Sequence, residues 1–283
     1  MSTFKHIAIL IFFGIALNSC NKREHTENCN SRNFAETAFT EKYPGEKAKK
    51  WRSESSYMIA DAKIDGHKCE GWFDRNGWIM TIAQISLSNL PQPTLNAFQK
   101  SGYFDWELTG CRKIDRKDRE TIYVLDVERN KVKFDLYYNG RGILVRSVNA
   151  TDSKRECIDF LPRTIPAPVL SEMKKIHPNA VIFEMVSSTS TYIIDIIDEG
   201  KGKKAFFKSS GTWLYTTDEI QNFDQLPNTV KETISQKFNG MMLESATRTE
   251  YPDRTTFSCL LSDKNGNSIV TFSDKGAVIE RQQ

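Results

Sequence analysis

Histidine and cysteine are the residue types best suited to acid–base, nucleophilic or metal chemistry, and this 283-residue chain holds four of the first and six of the second. His6 lies in the N-terminal apolar segment and His25 in the polar stretch after it, which leaves His67 and His177 for a folded site. His67 follows the turn Asp65-Gly66 and His177 precedes Pro178, so both are expected as exposed loop residues and not as catalysts. Beyond Cys20, the cysteines Cys29, Cys69, Cys111, Cys157 and Cys259 stand at least 40 residues apart without a C-x-x-C, which argues against a metal site. Five is odd, so at least one thiol stays free or pairs with another molecule, and the connectivity of the rest is open. Cys69 and Cys259, inside apolar strand patterns, are expected as buried free thiols.

Other motifs fail on context. No G-x-S-x-G elbow, H-E-x-x-H helix or Walker loop occurs. The run GKGKK at 200–204 has the composition of a phosphate loop but opens no helix, so its amides would not converge on an anion, and 199–203 is expected as a solvated hairpin loop. Asp263 to Asn267 starts like a calcium loop, yet its Gly comes two positions early and Asp274 stands where the bidentate Glu is needed; a type I′ turn at Asn265-Gly266 is expected instead. No enzymatic activity, cofactor or metal is expected.

The N-terminus carries modification chemistry. Lys5, the apolar run IAILIFFGIAL and the ending Leu17-Asn18-Ser19-Cys20 resemble a bacterial lipoprotein signal, with 1–19 removed and Cys20 lipidated. The run is too short for a spanning helix, which needs about 20 apolar residues. Residues 20–32 are polar and of both charge signs, and are expected as a flexible tether. Asn21 in place of Asp, by resemblance to lipoprotein sorting, points to the outer membrane, and the lack of an acidic cluster points to its periplasmic face. The net charge of +3 is small and mixed, so nucleic acid is not an expected partner. The basic stretch 112–119 is interrupted by Asp115 and Asp118 and is read as a charged hairpin tip.

The elements that must carry any site recur four times. Each unit opens with a short amphipathic helix: Phe34, Ala38, Phe39 and Tyr43, stopped by Pro44-Gly45; then Leu95 and Phe98; then Val169, Met173 and Ile176; then Val230, Ile234 and Phe238. Strand patterns follow each helix, and the closing hairpins FDRNGWIM, YYNGRGILV, FKSSGTWLY and FSDKGAVIE share one order of apolar strand, Gly turn and apolar strand. The reading is α+β: two tandem domains, 33–150 and 166–283, joined by a connector at 151–165. Each domain holds two repeats of a helix plus a four-stranded antiparallel meander, with the helices on one sheet face and the other face open. On strand alternation Trp72 and Tyr137 are expected to point to that open side as binding anchors, with Trp78, Trp106 and Trp213 as further candidates.

The segment AFTEKYPGEKAKKW (Ala38 to Trp51), Tyr57 and GWFDRNGW (Gly71 to Trp78) resembles the beta-lactamase-inhibitor-like, PepSY-like family of Bacteroidota lipoproteins. The signature thins in the later units, where Ser101-Gly102 replaces the Pro-Gly stop of the first. The resemblance implies the tandem helix-plus-strand fold, an envelope location and a non-enzymatic role, and it supplies no active site. The expected function is a protein- or peptide-binding module acting through open sheet faces, with inhibition as the form the family name suggests. The partner is an unidentified envelope protein or peptide. The alternative is a small-molecule carrier or sensor that binds between the two domains.

Overall fold

A computed structural model describes residues 21–152, 156–187, 190–220, 223–264 and 266–282, with 21–31 in backbone only. Cys20, the signal segment and Asn265 lie outside the described residues. Two antiparallel sheets of eight strands form the body of the fold, each with its strands in chain order. The first contains β1 (Ala48–Glu54), β2 (Tyr57–Ile64), β3 (His67–Asp74), β4 (Gly77–Gln84), β5 (Glu107–Arg116), β6 (Ile122–Arg129), β7 (Val132–Asn139) and β8 (Leu144–Asn149). The second contains β9 (Val181–Ser187), β10 (Thr191–Asp198), β11 (Lys201–Lys208), β12 (Trp213–Ile220), β13 (Met242–Glu250), β14 (Thr255–Asp263), β15 (Gly266–Ser273) and β16 (Val278–Gln282).

Helices α1 (Asn21–Lys42) and α2 (Gln92–Gln99) cover one face of the first sheet, and α3 (Ala167–Ile176) and α4 (Asn228–Lys237) one face of the second. Each buries the expected face: Phe39 and Ala35 of α1, Phe98 and Thr94 of α2, Val169 and Met173 of α3, Val230 and Ile234 of α4. Phe34, expected in the first stripe, is 67% exposed, and Ala35 takes the inward position.

The backbone is helical from Asn21, where a flexible tether over 20–32 was expected. That stretch lacks Gly and Pro, so nothing in it stops a helix anchored by Ala35 and Phe39 from propagating back through it. Strand β1 carries no clear apolar alternation. It is an edge strand whose Lys49 and Lys50 protect it from pairing with another chain. The hairpin after β10 is tighter than the expected loop at 199–203. Pairing continues to Asp198↔Lys201, and Glu199 and Gly200, with φ of 52° and 75°, form a two-residue turn.

The centre of the first sheet's other face is covered, and only its β1–β3 end, with Arg52, Asp61 and Glu70, stays partly exposed. Ile59, Trp72, Met80, Ile114, Val124 and Tyr137 point away from α1 and α2, and all are buried. The segment expected as a connector folds back over them, placing Phe160 in the core with Ile158 and Leu161 against it. Phe183 of β9 and Ile197 of β10 complete the cover. Two buried ion pairs join the sheets across this core. Arg116 meets Glu184 and donates to the Phe183 carbonyl at 2.7 Å, and Arg146 lies 3.0 Å from Asp195. Burial pushes the Asp195 carboxyl up, against the pull of Arg146. The halves therefore share one core.

Candidate functional site

Of the aromatic residues expected to bind a partner, Trp72 and Tyr137 are fully buried between the sheets, so neither can anchor a ligand on the folded protein. Alternation placed them on the correct face, but the connector and the β9–β10 edge cover that face. Trp78, Trp106 and Trp213 are half-buried on the helix side. Trp106 packs edge-on against Tyr103 and Phe134, with centroids at 5.3 and 5.8 Å.

Trp78 and Trp213 do the same job in the two sheets. The Trp78 indole N–H donates to the Thr81 hydroxyl at 2.8 Å, and that hydroxyl also meets the Tyr43 phenol at the end of α1. Burial pushes the phenol up to about 12. In the second sheet the Trp213 indole donates to Thr216 at 3.0 Å, and His177, at the end of α3, meets Thr216 through Nε2 at 2.8 Å. A Trp-x-x-Thr strand thus ties down the residue before the proline that ends the helix. His177 is therefore 5% exposed, not a loop residue at the surface.

Its other nitrogen, Nδ1, lies 3.0 Å from Asp198, whose Oδ2 accepts from Lys203 at 2.9 Å. Burial pushes the Asp198 carboxyl up, and Lys203 and His177 more than offset this, so it lies below the ordinary carboxylate value. Lys203, expected in a solvated loop, is buried and bonded also to Glu199 at 2.7 Å.

Thr216, His177 and Asp198 have the order of a hydroxyl–imidazole–carboxylate relay. Thr216 is only 2% exposed and its oxygen takes the indole N–H, so no substrate atom reaches it. The first sheet repeats the arrangement with a phenol in place of the base. The chemistry is that of a structural clamp. His177→Ala is expected to lower stability by about 1–3 kcal/mol through the partners it strands. His177→Tyr, which copies Tyr43, should recover most of that loss in urea unfolding. A tyrosine variant as unstable as the alanine one would contradict the clamp.

Cys69, Cys111, Cys157 and Cys259 are free thiols, and Cys69 and Cys259 are buried as expected. Burial pushes Cys259 up to about 11 and Cys111 equally high, which keeps both protonated and unreactive.

The open surface lies on the second sheet. Ala246, Phe257, Cys259, Leu261, Val270 and Phe272 face α4, and the alternate residues face away from both helices. Those alternate residues form rows across the strands. Phe206, Tyr215 and Tyr251 make one half-buried row, with Phe206 stacked on Tyr215 at 4.4 Å and Tyr251 tilted against Tyr215 at 5.5 Å. Lys204, Thr217, Thr249 and Thr256 make the next, of which Thr249 and Thr256 are buried between their neighbours, and Glu219, Thr247, Ser258 and Thr271 make the one after.

Where β8 crosses β11, this face becomes the floor of a groove of about 450 Å³, with residues 142–147 as its wall. Gly202 permits the crossing, since a Cβ there would lie 2.7 Å from the Leu144 carbonyl oxygen. None of these residues was expected from the sequence to lie on a binding face. The signal was the hydroxyl phase of TTFSCLLS and TRTEY, in which Thr and Ser alternate with the core side chains. The surface offers hydroxyls, an aromatic row and both charge signs, which suits recognition. Among the described residues no cluster could hold a metal ion.

Compared with known families, the chain matches the beta-lactamase-inhibitor-like, PepSY-like profile over residues 61–146 and 190–280, together more than half its length. No curated protein matches it. Among solved structures it is similar to a BLIP-like protein from Bacteroides fragilis at 32% identity, covering 42% of this chain and 86% of that one, with a TM-score of 0.40. It is also similar to a DUF2874 family protein from Bacteroides ovatus at 26% identity, covering 41% of this chain and 86% of that one, with a TM-score of 0.39. The chain belongs to the beta-lactamase-inhibitor-like, PepSY-like family.

Proposed function

We propose that this protein is a non-enzymatic binding module of the cell envelope, and that a protein or peptide partner lies on the helix-free face of the second sheet. The observation that carries the reading is the contrast between the two sheets. The centre of the equivalent face of the first is buried under Phe160, Phe183 and Ile197, and its β1–β3 end carries the Arg52, Asp61 and Glu70 ion pairs, whereas this one is rich in hydroxyls and presents the row Phe206, Tyr215 and Tyr251. Aromatic side chains on a polar, exposed sheet face are typical anchors for a partner. We read the chain as four copies of one helix-plus-four-strand unit, two to a sheet, of which the last two supply the binding face.

The experiment is a crosslinking pull-down from envelope extracts with the full-length protein, beside a Phe206→Ala, Tyr215→Ala variant. A stoichiometric partner lost in the variant is the expected result. A partner retained in full by a folded variant would remove the site from this face. The groove beside β8 favours a second reading, a small polar molecule held between the sheets. Tight binding of such a molecule, with no protein captured by either form, would select it.

We further propose export and lipidation at Cys20, with the protein on the periplasmic face of the outer membrane. Cys20→Ala is expected to move the protein from the membrane fraction to the soluble fraction on cell fractionation. A variant that stays wholly with the membranes would contradict the anchor.

A further inference from the structure

Strand β8 closes the first sheet and pairs only with β7, so one of its edges carries no ladder. The register fixes which groups that edge presents. Ala150 N–H donates to the Lys133 carbonyl, and the pairs Asp135↔Val148 and Tyr137↔Arg146 continue the same parity. In an antiparallel ladder the residues between such pairs turn their amides and carbonyls the other way. Those of Ser147 and Asn149 therefore point away from β7.

Beyond this edge lies the groove already described, floored by Gly202, Lys204, Thr217, Glu219 and Thr247 of the second sheet. Ser147 of its wall turns its amide and carbonyl outward, with Asn149 continuing that edge beyond the groove, and its floor supplies the polar side chains of Thr217, Thr247, Lys204 and Glu219 beside Gly202. We propose that this corner receives an extended segment of a partner polypeptide, which adds to β8 as a ninth strand of the first sheet and lies across the polar floor of the second.

The chemistry selects the occupant. Alternating backbone donors and acceptors at strand spacing are matched by another extended backbone, whereas a compact small molecule can satisfy only one or two of them. The floor sets the side chains. Inward positions of the added strand meet Thr217 and Thr247 between the opposite charges of Lys204 and Glu219, so they should be small or hydroxylated. The inference rests on the binding-module reading and makes it specific in mode and place.

The test pans a library of random nine-residue peptides against the detergent-solubilised full-length protein. Enriched peptides are expected to slow hydrogen exchange at the Ser147 and Asn149 amides. Ser147→Pro should weaken their binding by at least about tenfold. Proline at an edge position with an outward N–H removes the docking donor and leaves the β7 ladder whole. Thr217→Trp, which fills the floor and leaves the β7–β8 ladder unchanged, should weaken binding similarly and decides the matter if the proline variant does not fold.

Peptides that bind a folded Ser147→Pro variant at full strength, or that protect only the Phe206–Tyr215 row, would overturn strand addition and leave the open-face reading standing. Enrichment of no peptide would overturn strand addition, and loss of the pull-down partner in the Phe206→Ala, Tyr215→Ala variant would still support the face. Self-association of the protein that Ser147→Pro abolishes would replace the partner segment with a second copy.

Discussion

Trp72→Ala is expected to destabilise the folded chain by about 3–5 kcal/mol, the range for removing a large aromatic from a packed core. Trp72 is fully buried, with the Tyr57 ring at 5.8 Å and Ile59 and Met80 in the same cluster. That cluster is closed by Phe160, Phe183 and Ile197 from outside the first sheet, so a cavity at Trp72 should loosen the joint between the halves as well as the first sheet itself. Urea unfolding read separately by near-UV and far-UV circular dichroism checks both parts. Loss of less than about 1 kcal/mol would mean that the face is accessible, as its sequence phase alone suggested, because exposed positions cost no more than this.

Glu184→Ala is expected to cost a similar amount, about 3–5 kcal/mol, for an electrostatic reason. The Arg116 side chain is fully buried and depends on the Glu184 carboxylate and the Phe183 carbonyl for its charge. The same carboxylate accepts the Met185 N–H at 2.9 Å, so alanine strands two donors at once. A buried pair, however, gives back in mutual attraction little more than its desolvation takes. Arg116→Met combined with Glu184→Met should therefore recover most of the loss. Unfolding midpoints of the two single variants and the double variant form a cycle that tests this. Strict additivity would show that the two side chains do not interact across the joint.

The four helices and most of the strands that follow them were legible in the sequence because local rules and tertiary packing agree there. Val169, Met173 and the Pro178 stop mark α3, and Asp65-Gly66, with φ of 50° and 85°, marks the hairpin between β2 and β3. Strand β1 was missed because an edge strand protected by lysines shows no alternation. The sealing of the first sheet was written in the sequence but read only in part. Ile59 and Ala60, Trp72 and Phe73, and Tyr137 and Tyr138 put apolar side chains on both phases of their strands, which is the pattern of a sheet buried on both faces. Reading only the phase of Trp72 gave the correct face and the wrong exposure.

The second sheet shows the opposite pattern. Phe257, Cys259 and Leu261 alternate with Thr256 and Ser258, which is the signature of one wet face, and the binding surface proposed here lies on that phase. The His177 clamp was not legible. Its partners Asp198 and Thr216 are 21 and 39 residues away in the chain, and only the fold brings them together. The groove escaped for the same reason, since its wall is β8 and its floor is a different sheet.

We propose that recognition belongs to the helix-free face of the second sheet. It is tested most directly in intact cells by placing a photo-crosslinking amino acid at Ser258 on that face, and at Lys231 on the solvent side of α4 as a control. The account predicts a discrete adduct with one envelope component from position 258 and none from position 231. Adducts of equal yield from both positions, or an adduct from position 231 alone, would contradict it.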